Sequence, residues 1–359
     1  MPHSTWPMPT RATRGMARFG VRQSALWGLL AAACSRGGST EGHHALPAAS
    51  QNAAQEVLAR GLSEAGVPGL AAARIDGDRR VIVSVAGLRD ARSREPVTPY
   101  TRFQLASVGK LVVALSVRQL AEQGRIALDE PLPKLVPALA RAPRMTPLQL
   151  LTHTAGIVDP PNMQNFECTS SCEDQLAARV DDVLSRPSVL GNEPGPYRYS
   201  NVGYALLATL VERASGERFD RYTQTHVFVP LGMRRATWFA EGLDPVAAHH
   251  APGHPFRVVQ PKRHALYPAV DLYGTATDAA QLLLGMSALD GGAPTLRGAQ
   301  RVSLPPRELL GHEGEDEGAS VFAFVDERTG RGAVLLGNGP AFAQSAHLEA
   351  FRALFLSLL

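Results

Sequence analysis

The stretch from Ser107 to Gln123 constrains this chain more than any other. Leu111, Val112, Val113, Leu115, Val117 and Leu120 make it apolar around most of a helix circumference. A helix of that kind belongs in the middle of a domain. Its first turn nevertheless carries Lys110, directly before Leu-Val-Val, with Ser107 three residues earlier. Residues three apart share a helix face, so the hydroxyl and the amine are expected to meet. An amine held in apolar surroundings binds its proton less tightly, and a neighbouring serine hydroxyl needs just such a base to become a nucleophile.

Lys110 is unusual for a second reason. Of the 36 basic residues only Lys110, Lys134 and Lys262 are lysines. Arginine serves wherever a plain positive charge suffices, so a retained lysine points to a side chain that must be able to release its proton.

The flanks of this helix set the fold class. A helix is expected from Ser50, with Ala54, Val57, Leu58, Leu62 and Ala65 on one face and Gly66 and Pro68 as its stop. Strands follow over 70–75 and 81–86, around Asp76-Gly77-Asp78. Near the other end, strands are expected over 319–325 and 332–336, around Arg328-Thr329-Gly330, and then a helix over 342–358. From about 127 to 270 the pattern is mostly helices and loops, with Thr146-Pro147 as a cap and first turn and a helix over 202–214 closed by Gly216. The expectation is therefore an α/β (α+β) domain over 50–359. An antiparallel sheet built from both chain ends is flanked by helices, and a mostly helical lobe is inserted. A chain of 359 residues that is 45% hydrophobic can bury a core of that size.

Residues 1–33 read as a signal peptide, with Arg11, Arg14, Arg18 and Arg22, no acidic residue before Glu41, and an apolar run from Ala25 to Ala33. Nine apolar residues are too few to span a bilayer. Leu29 to Cys34 resembles a bacterial lipobox, which implies lipidation of Cys34 and a membrane tether; cleavage by an ordinary signal peptidase is the alternative. Residues 34–49, rich in Gly, Ser, His and Ala, read as a flexible tether. The expected location is the periplasm or cell envelope. The formal charge of +3 becomes −1 without those four arginines, which gives no electrostatic case for binding nucleic acid. Cys168 and Cys172 form a close even pair, expected as a disulfide in an oxidising compartment, with two free thiols as the alternative. No phosphate loop or metal-ligand cluster stands out, so no cofactor and no metal are expected.

The segment Phe103-Gln104-Leu105-Ala106-Ser107-Val108-Gly109-Lys110 resembles the nucleophile segment of serine β-lactamases, penicillin-binding proteins and related esterases. Tyr199-Ser200-Asn201, 92 residues after Ser107, is similar to the Tyr-x-Asn motif of the class C branch. His312-Glu313-Gly314, a further 113 residues on, is similar to the Lys-Thr-Gly or His-x-Gly motif. Residues 150–156, 274–278 and 334–338 resemble the family's scaffold, and His153 is read as part of it.

What the resemblance implies is hydrolysis of a small-molecule or peptide substrate through an acyl-serine: an ester, a D-amino-acid peptide or a β-lactam. Ser107 would attack, and Lys110 and Tyr199 would handle the proton, with the Tyr199 phenol drawn down by Lys110. Asn201, His312, Gly314 and Glu315 would bind substrate, and the backbone N–H groups of Ser107 and Glu315 would form an oxyanion hole. Two features depart from the pattern. Gly109 costs up to about 1 kcal/mol relative to Ala inside a helix. Glu313, Glu315, Asp316 and Glu317 gather acids where penicillin-recognising relatives offer a cation, which favours the esterase and peptidase branches. The alternative from another class is a catalytically silent binding or sensor domain at the envelope.

Protein recovered from the envelope of an expressing bacterium is expected to begin at Cys34 and to carry a lipid adduct there. Intact mass spectrometry checks this; a full-length amino terminus would refute export.

Overall fold

A computed structural model describes residues 48–132, 145–161, 168, 172–186, 188–190, 193–251, 256–260, 263–287, 298–304 and 306–359. The expected signal peptide, Cys34 and residues 34–47 of the tether lie outside the described residues, as do Lys134 and Lys262.

The first helix, α1 (Ala48–Glu64), begins two residues before the expected Ser50. It leads into β1 (Gly69–Ile75), β2 (Val81–Asp90), the short β3 (Glu95–Pro96) and β4 (Phe103–Ala106). The buried helix α2 is Gly109–Glu122. Next come α3 (Pro147–Leu151), α4 (Cys172–Leu184), α5 (Asn201–Ser215), α6 (Phe219–Thr223) and α7 (Val229–Leu231). The hairpin β5 (His249–Ala251) and β6 (Arg257–Val259) precedes β7 (Leu272–Gly274) and α8 (Ala276–Ser287). The chain closes with β8 (Gln300–Leu304), β9 (Arg307–Asp316), β10 (Ala319–Asp326), β11 (Gly332–Gly337) and α9 (Ser345–Leu358).

Seven strands form one antiparallel sheet in the order β3-β2-β1-β11-β10-β9-β8, so the two chain ends meet at β1 and β11, where Leu70 faces Gly337. Side chains of a strand alternate between faces, and here both faces are covered. Leu70, Ala72, Phe322, Phe324 and Leu335 pack with Leu58 of α1 and Phe351 and Phe355 of α9. Ala71, Ala73, Val321, Ala323, Val334 and Leu336 join the larger core, which holds α2, α5 and α8. The region from 127 to 270 departs from expectation in one respect, because it contains the β5–β6 hairpin. Each of its strands is three residues long, too short for an alternating pattern to show.

Local features aim the α2 end of the molecule. β4 pairs with β7 rather than with the main sheet. It ends at Ala106 with φ +47°, a left-handed conformation that costs a non-glycine residue roughly 1 kcal/mol. The chain there turns sharply, and Ser107 stands at the corner between β4 and α2. A Cβ on Gly109 would lie 3.1 Å from the Trp238 ring and 3.2 Å from the Pro268 carbonyl oxygen. The close approach of that loop accounts for glycine where a helix alone would prefer alanine. A Cβ on Gly314 would lie 2.6 Å from the Leu105 carbonyl oxygen and 3.3 Å from the Ser107 nitrogen. Only glycine lets β9 run this close to the corner.

Gly314→Ala should therefore force β9 away from β4 and destabilise the protein by about 1–3 kcal/mol. Urea unfolding checks this as a lower midpoint at unchanged slope; a wild-type midpoint would show that the strand has room to spare.

Candidate active site

The side chain of Lys110 is fully buried, and its amine meets three acceptors. It donates to Ser107 Oγ at 3.0 Å, to Asn201 Oδ1 at 2.7 Å and to the Ala269 carbonyl oxygen at 2.7 Å. Burial lowers the amine to about 7, against a smaller opposing influence from the charge of Asp159. Tyr199 OH donates to Ser107 Oγ at 2.8 Å, and the Lys110 ammonium lies 4.8 Å from the centre of its ring. The three residues that the sequence singled out, Ser107, Lys110 and Tyr199, thus come together from the β4–α2 corner, from α2 and from the segment before α5.

One electrostatic expectation is overturned. Burial, the largest influence, pushes the Tyr199 phenol well above its ordinary value, and only its hydrogen bond with Ser107 works the other way. Lys110 does not draw it down. Tyr199 is therefore a phenol that donates, and the amine is the group poised to take a proton.

Asn201 and Tyr199 are fixed by the way α5 begins. Ser200 caps the helix by accepting from Gly203 N–H at 2.9 Å. Its own backbone N–H donates to His153 Nδ1 at 3.1 Å. The His153 ring lies 4.6 Å from that of Tyr199 and 4.9 Å from that of Tyr204. Burial, with Lys110 and His312 adding to it, holds His153 well below the usual histidine range, so it is a neutral support. Sequence reasoning missed Asp159. Its carboxylate takes hydrogen bonds from Ser200 Oγ, Asn201 N–H and Val202 N–H. An acid forty-odd residues before its partners carries no periodicity, and only the loss of any other cap for those N–H groups could have hinted at it.

On β9, His312 is buried and Nδ1–H donates to the Glu313 carbonyl oxygen, while Nε2 meets no partner among the described residues. Burial, reinforced by Lys110, pushes it down to about 3 against the pull of that hydrogen bond, so it is neutral. Strand alternation puts His312, Gly314 and Asp316 on the Ser107 face, opposite Ala323, Val321 and Ala319 of the larger sheet core or its edge. Glu313 and Glu315 fall on the other face, Glu313 opposite Phe322. The expected acidic wall beside the serine is thus corrected. The side chain of Glu315 points away from Ser107, so any part it plays there belongs to its backbone N–H. Asp316, the acid that shares the face, accepts from Gln104 Nε2 at 2.7 Å. Some negative field does reach the mouth, since the charge of Glu313 adds to the burial that raises Tyr197.

A second polar network braces the site from below. Asp271 is buried and accepts from His264 N–H and His264 Nδ1–H, both at 2.7 Å. Gln104 Nε2 also reaches the Val270 carbonyl at 3.2 Å, so β4, β9 and the 263–271 loop are joined three residues from Ser107. His264, Asp271 and Asp316 are the group of possible metal ligands found among the described residues. Since the histidine nitrogen facing Asp271 donates to it, the arrangement is that of a hydrogen-bonded brace. Cys168 and Cys172 are joined as a disulfide at the start of α4, and Cys168 N–H donates to the Arg263 carbonyl of the same loop.

The sequence model of the Beta-lactamase family matches residues 54–357. Esterase EstB of Burkholderia gladioli is 30% identical over 257 residues, 60% of this chain and 64% of that protein. Penicillin-binding protein 4 of Amycolatopsis lactamdurans is 30% identical over 188 residues, 50% of this chain and 47% of that one. The matched parts therefore span less than two thirds of either relative. Among solved structures, SurE superposes with a TM-score of 0.70 at 26% identity, covering 86% of this chain and 76% of its own. The D-amino acid amidase of Ochrobactrum anthropi SV3 does so with a TM-score of 0.70 at 21% identity, covering 85% and 98%, a likeness of fold alone. With the family's sequence model spanning the whole sheet, the inserted helices and the Ser107 corner, the chain belongs to the β-lactamase family.

Proposed function

We propose that this protein is a serine hydrolase that works through an acyl-serine on Ser107. The observation that carries the reading is the set of partners around Lys110. As an ammonium it fills three acceptors; as a neutral amine it has two N–H groups and one lone pair. The Asn201 and Ala269 oxygens can only accept, so they keep the two N–H groups, and the lone pair faces Ser107 Oγ. With its amine near 7, Lys110 is neutral often enough to be a base at ordinary pH.

The steps follow from that geometry. Neutral Lys110 takes the hydroxyl proton as Ser107 Oγ bonds to the substrate carbonyl carbon, and the carbonyl electron pair moves onto oxygen. The backbone N–H groups of Ser107 and Glu315 receive that oxyanion. When the bond to the leaving group breaks, Tyr199 hands it a proton, and the Lys110 ammonium, 4.8 Å from the centre of the Tyr199 ring, gives the phenolate the proton it took from Ser107. Water then repeats the sequence on the acyl-serine, releases the acid and restores the hydroxyl. Because Asn201 Oδ1 is committed to Lys110, Asn201 offers substrate its Nδ2.

Uncharged esters and amides fit this site better than carboxylate-bearing penicillins. His312 is neutral where a cation would be needed, and the Lys110 ammonium is turned inward. The name of one relative, an esterase, agrees with that range. Export through residues 1–33 and tethering at Cys34 belong to the same proposal on the sequence argument alone.

Since Lys110 must be neutral to accept the proton, kcat/KM for a nitrophenyl ester should rise with pH through about 7. Ser107→Ala, Lys110→Arg and Tyr199→Phe should each cost at least about a thousandfold, and a penicillin should be the poorer substrate. Lys110→Arg with near wild-type turnover would sink the mechanism. Absence of fluorophosphonate labelling at Ser107 would favour a silent binding domain.

A further inference from the structure

Asp159, in the loop after α3, belongs to none of the sequence motifs, yet both its oxygens are spent on the start of α5. It accepts from Ser200 Oγ at 2.7 Å, Asn201 N–H at 2.7 Å and Val202 N–H at 3.1 Å. Those donors are the cap residue and the first two residues of the helix. Tyr199 stands immediately before them, and Asn201 among them holds the Lys110 amine through Oδ1. We propose that Asp159 is a positioning residue that clamps Tyr199 and Asn201 in register with Lys110 and supplies the negative charge that counterbalances the buried ammonium. This role rests on the hydrolase reading above.

The clamp and the charge are separate contributions. A carboxylate at a helix N-terminus interacts favourably with the N–H groups of the first turn and with the helix dipole. The groups that face the Lys110 amine can be named by element. Ser107 comes from the corner before α2, Tyr199 and Tyr204 from the start of α5, His153 from the loop after α3, His312 from β9 and a backbone carbonyl from Ala269. Both histidines are held neutral by burial and both tyrosines are pushed up by it. Asp159 is the acid whose charge opposes the effect of burial on Lys110. Removing that charge should let the amine lose its proton more easily, which moves the acidic limb of the rate profile to lower pH.

The test compares wild type with Asp159→Asn, Asp159→Glu and Ser200→Ala. Two readings are taken across pH: fluorophosphonate labelling of Ser107, and kcat and KM for nitrophenyl acetate, with thermal melting as the check on folding. Asp159→Asn should lose roughly tenfold to a hundredfold, mainly in kcat, since small misplacements near reacting groups are that expensive. Its acidic limb should move to lower pH. Ser200→Ala removes the hydroxyl that donates to Asp159 and accepts from Gly203 N–H but keeps the carboxylate, so its limb should stay where the wild type has it. Asp159→Glu should also keep the limb but lose rate, because a longer side chain displaces the clamp; it serves as the reading if Asp159→Asn does not fold. A folded Asp159→Asn with an unmoved limb, or Asp159→Glu at the wild-type rate, overturns the proposal. Wild type that does not label at Ser107 overturns the hydrolase reading itself and this role with it, which is a different result from either.

Discussion

An amine enclosed in an apolar helix must find three acceptors or give up its proton, and much of this fold is arranged to leave Lys110 between those two conditions. Its acceptors arrive from three directions: the β4–α2 corner, the first residue of α5, and the short turn at Tyr267–Ala269. Packing sets each approach. Leucine and valine side chains on every side of α2 exclude water, and the missing Cβ atoms of Gly109 and Gly314 let the 268–272 loop and β9 close on the corner. The left-handed Ala106 stores strain at the same point, and the surrounding contacts hold it there.

Burial acts in opposite senses on the two proton-carrying groups of the site. It weakens the hold of Lys110 on its proton and strengthens that of Tyr199. When neighbouring titratable groups are driven apart in this way, their acid and base roles separate. Neutral His153 and His312 add no competing positive charge, and they contribute shape and hydrogen bonds instead. The result is a pocket with a single removable proton near neutral pH, directed at a single hydroxyl.

Much of this was legible in the chain alone. The all-round apolar character of residues 111–120 located the central helix, and the lysine in its first turn marked the chemistry, because both rest on short-range pattern. The middle strands of the sheet, β2, β1, β11 and β10, which are apolar along most of their length, and the Gly216 stop of α5 were legible for the same reason. β9 was harder to read: Glu308, His312, Glu313, Glu315 and Asp316 interrupt its apolar positions, so its face assignment had to come from pairing with β10. That pairing is what turned Glu315 away from the serine. Asp159 and the brace that ties Gln104 to Asp316 and to the 263–271 loop depend on contacts between distant segments, and nothing local in a sequence reports them. Tyr199 shows a further limit. Its proximity to a lysine suggested a lowered phenol, but the depth of burial decides the sign, and depth is a property of the whole core.

The sheet that frames the site joins segments far apart in the sequence, with Leu70 beside Gly337. During synthesis at about 5–20 residues per second, β1 and β2 would wait roughly 13–50 seconds before β11 exists to cover them. Until then the hairpin presents an open, apolar edge of the kind that recruits other strands. The corner bearing Ser107 lacks β9 for almost as long. Competence can therefore emerge only after β9 and β11 have been made, because they close the sheet and complete the pocket. A chaperone that shields the early hairpin, rather than one that assists the helices, is the assistance such a topology would call for.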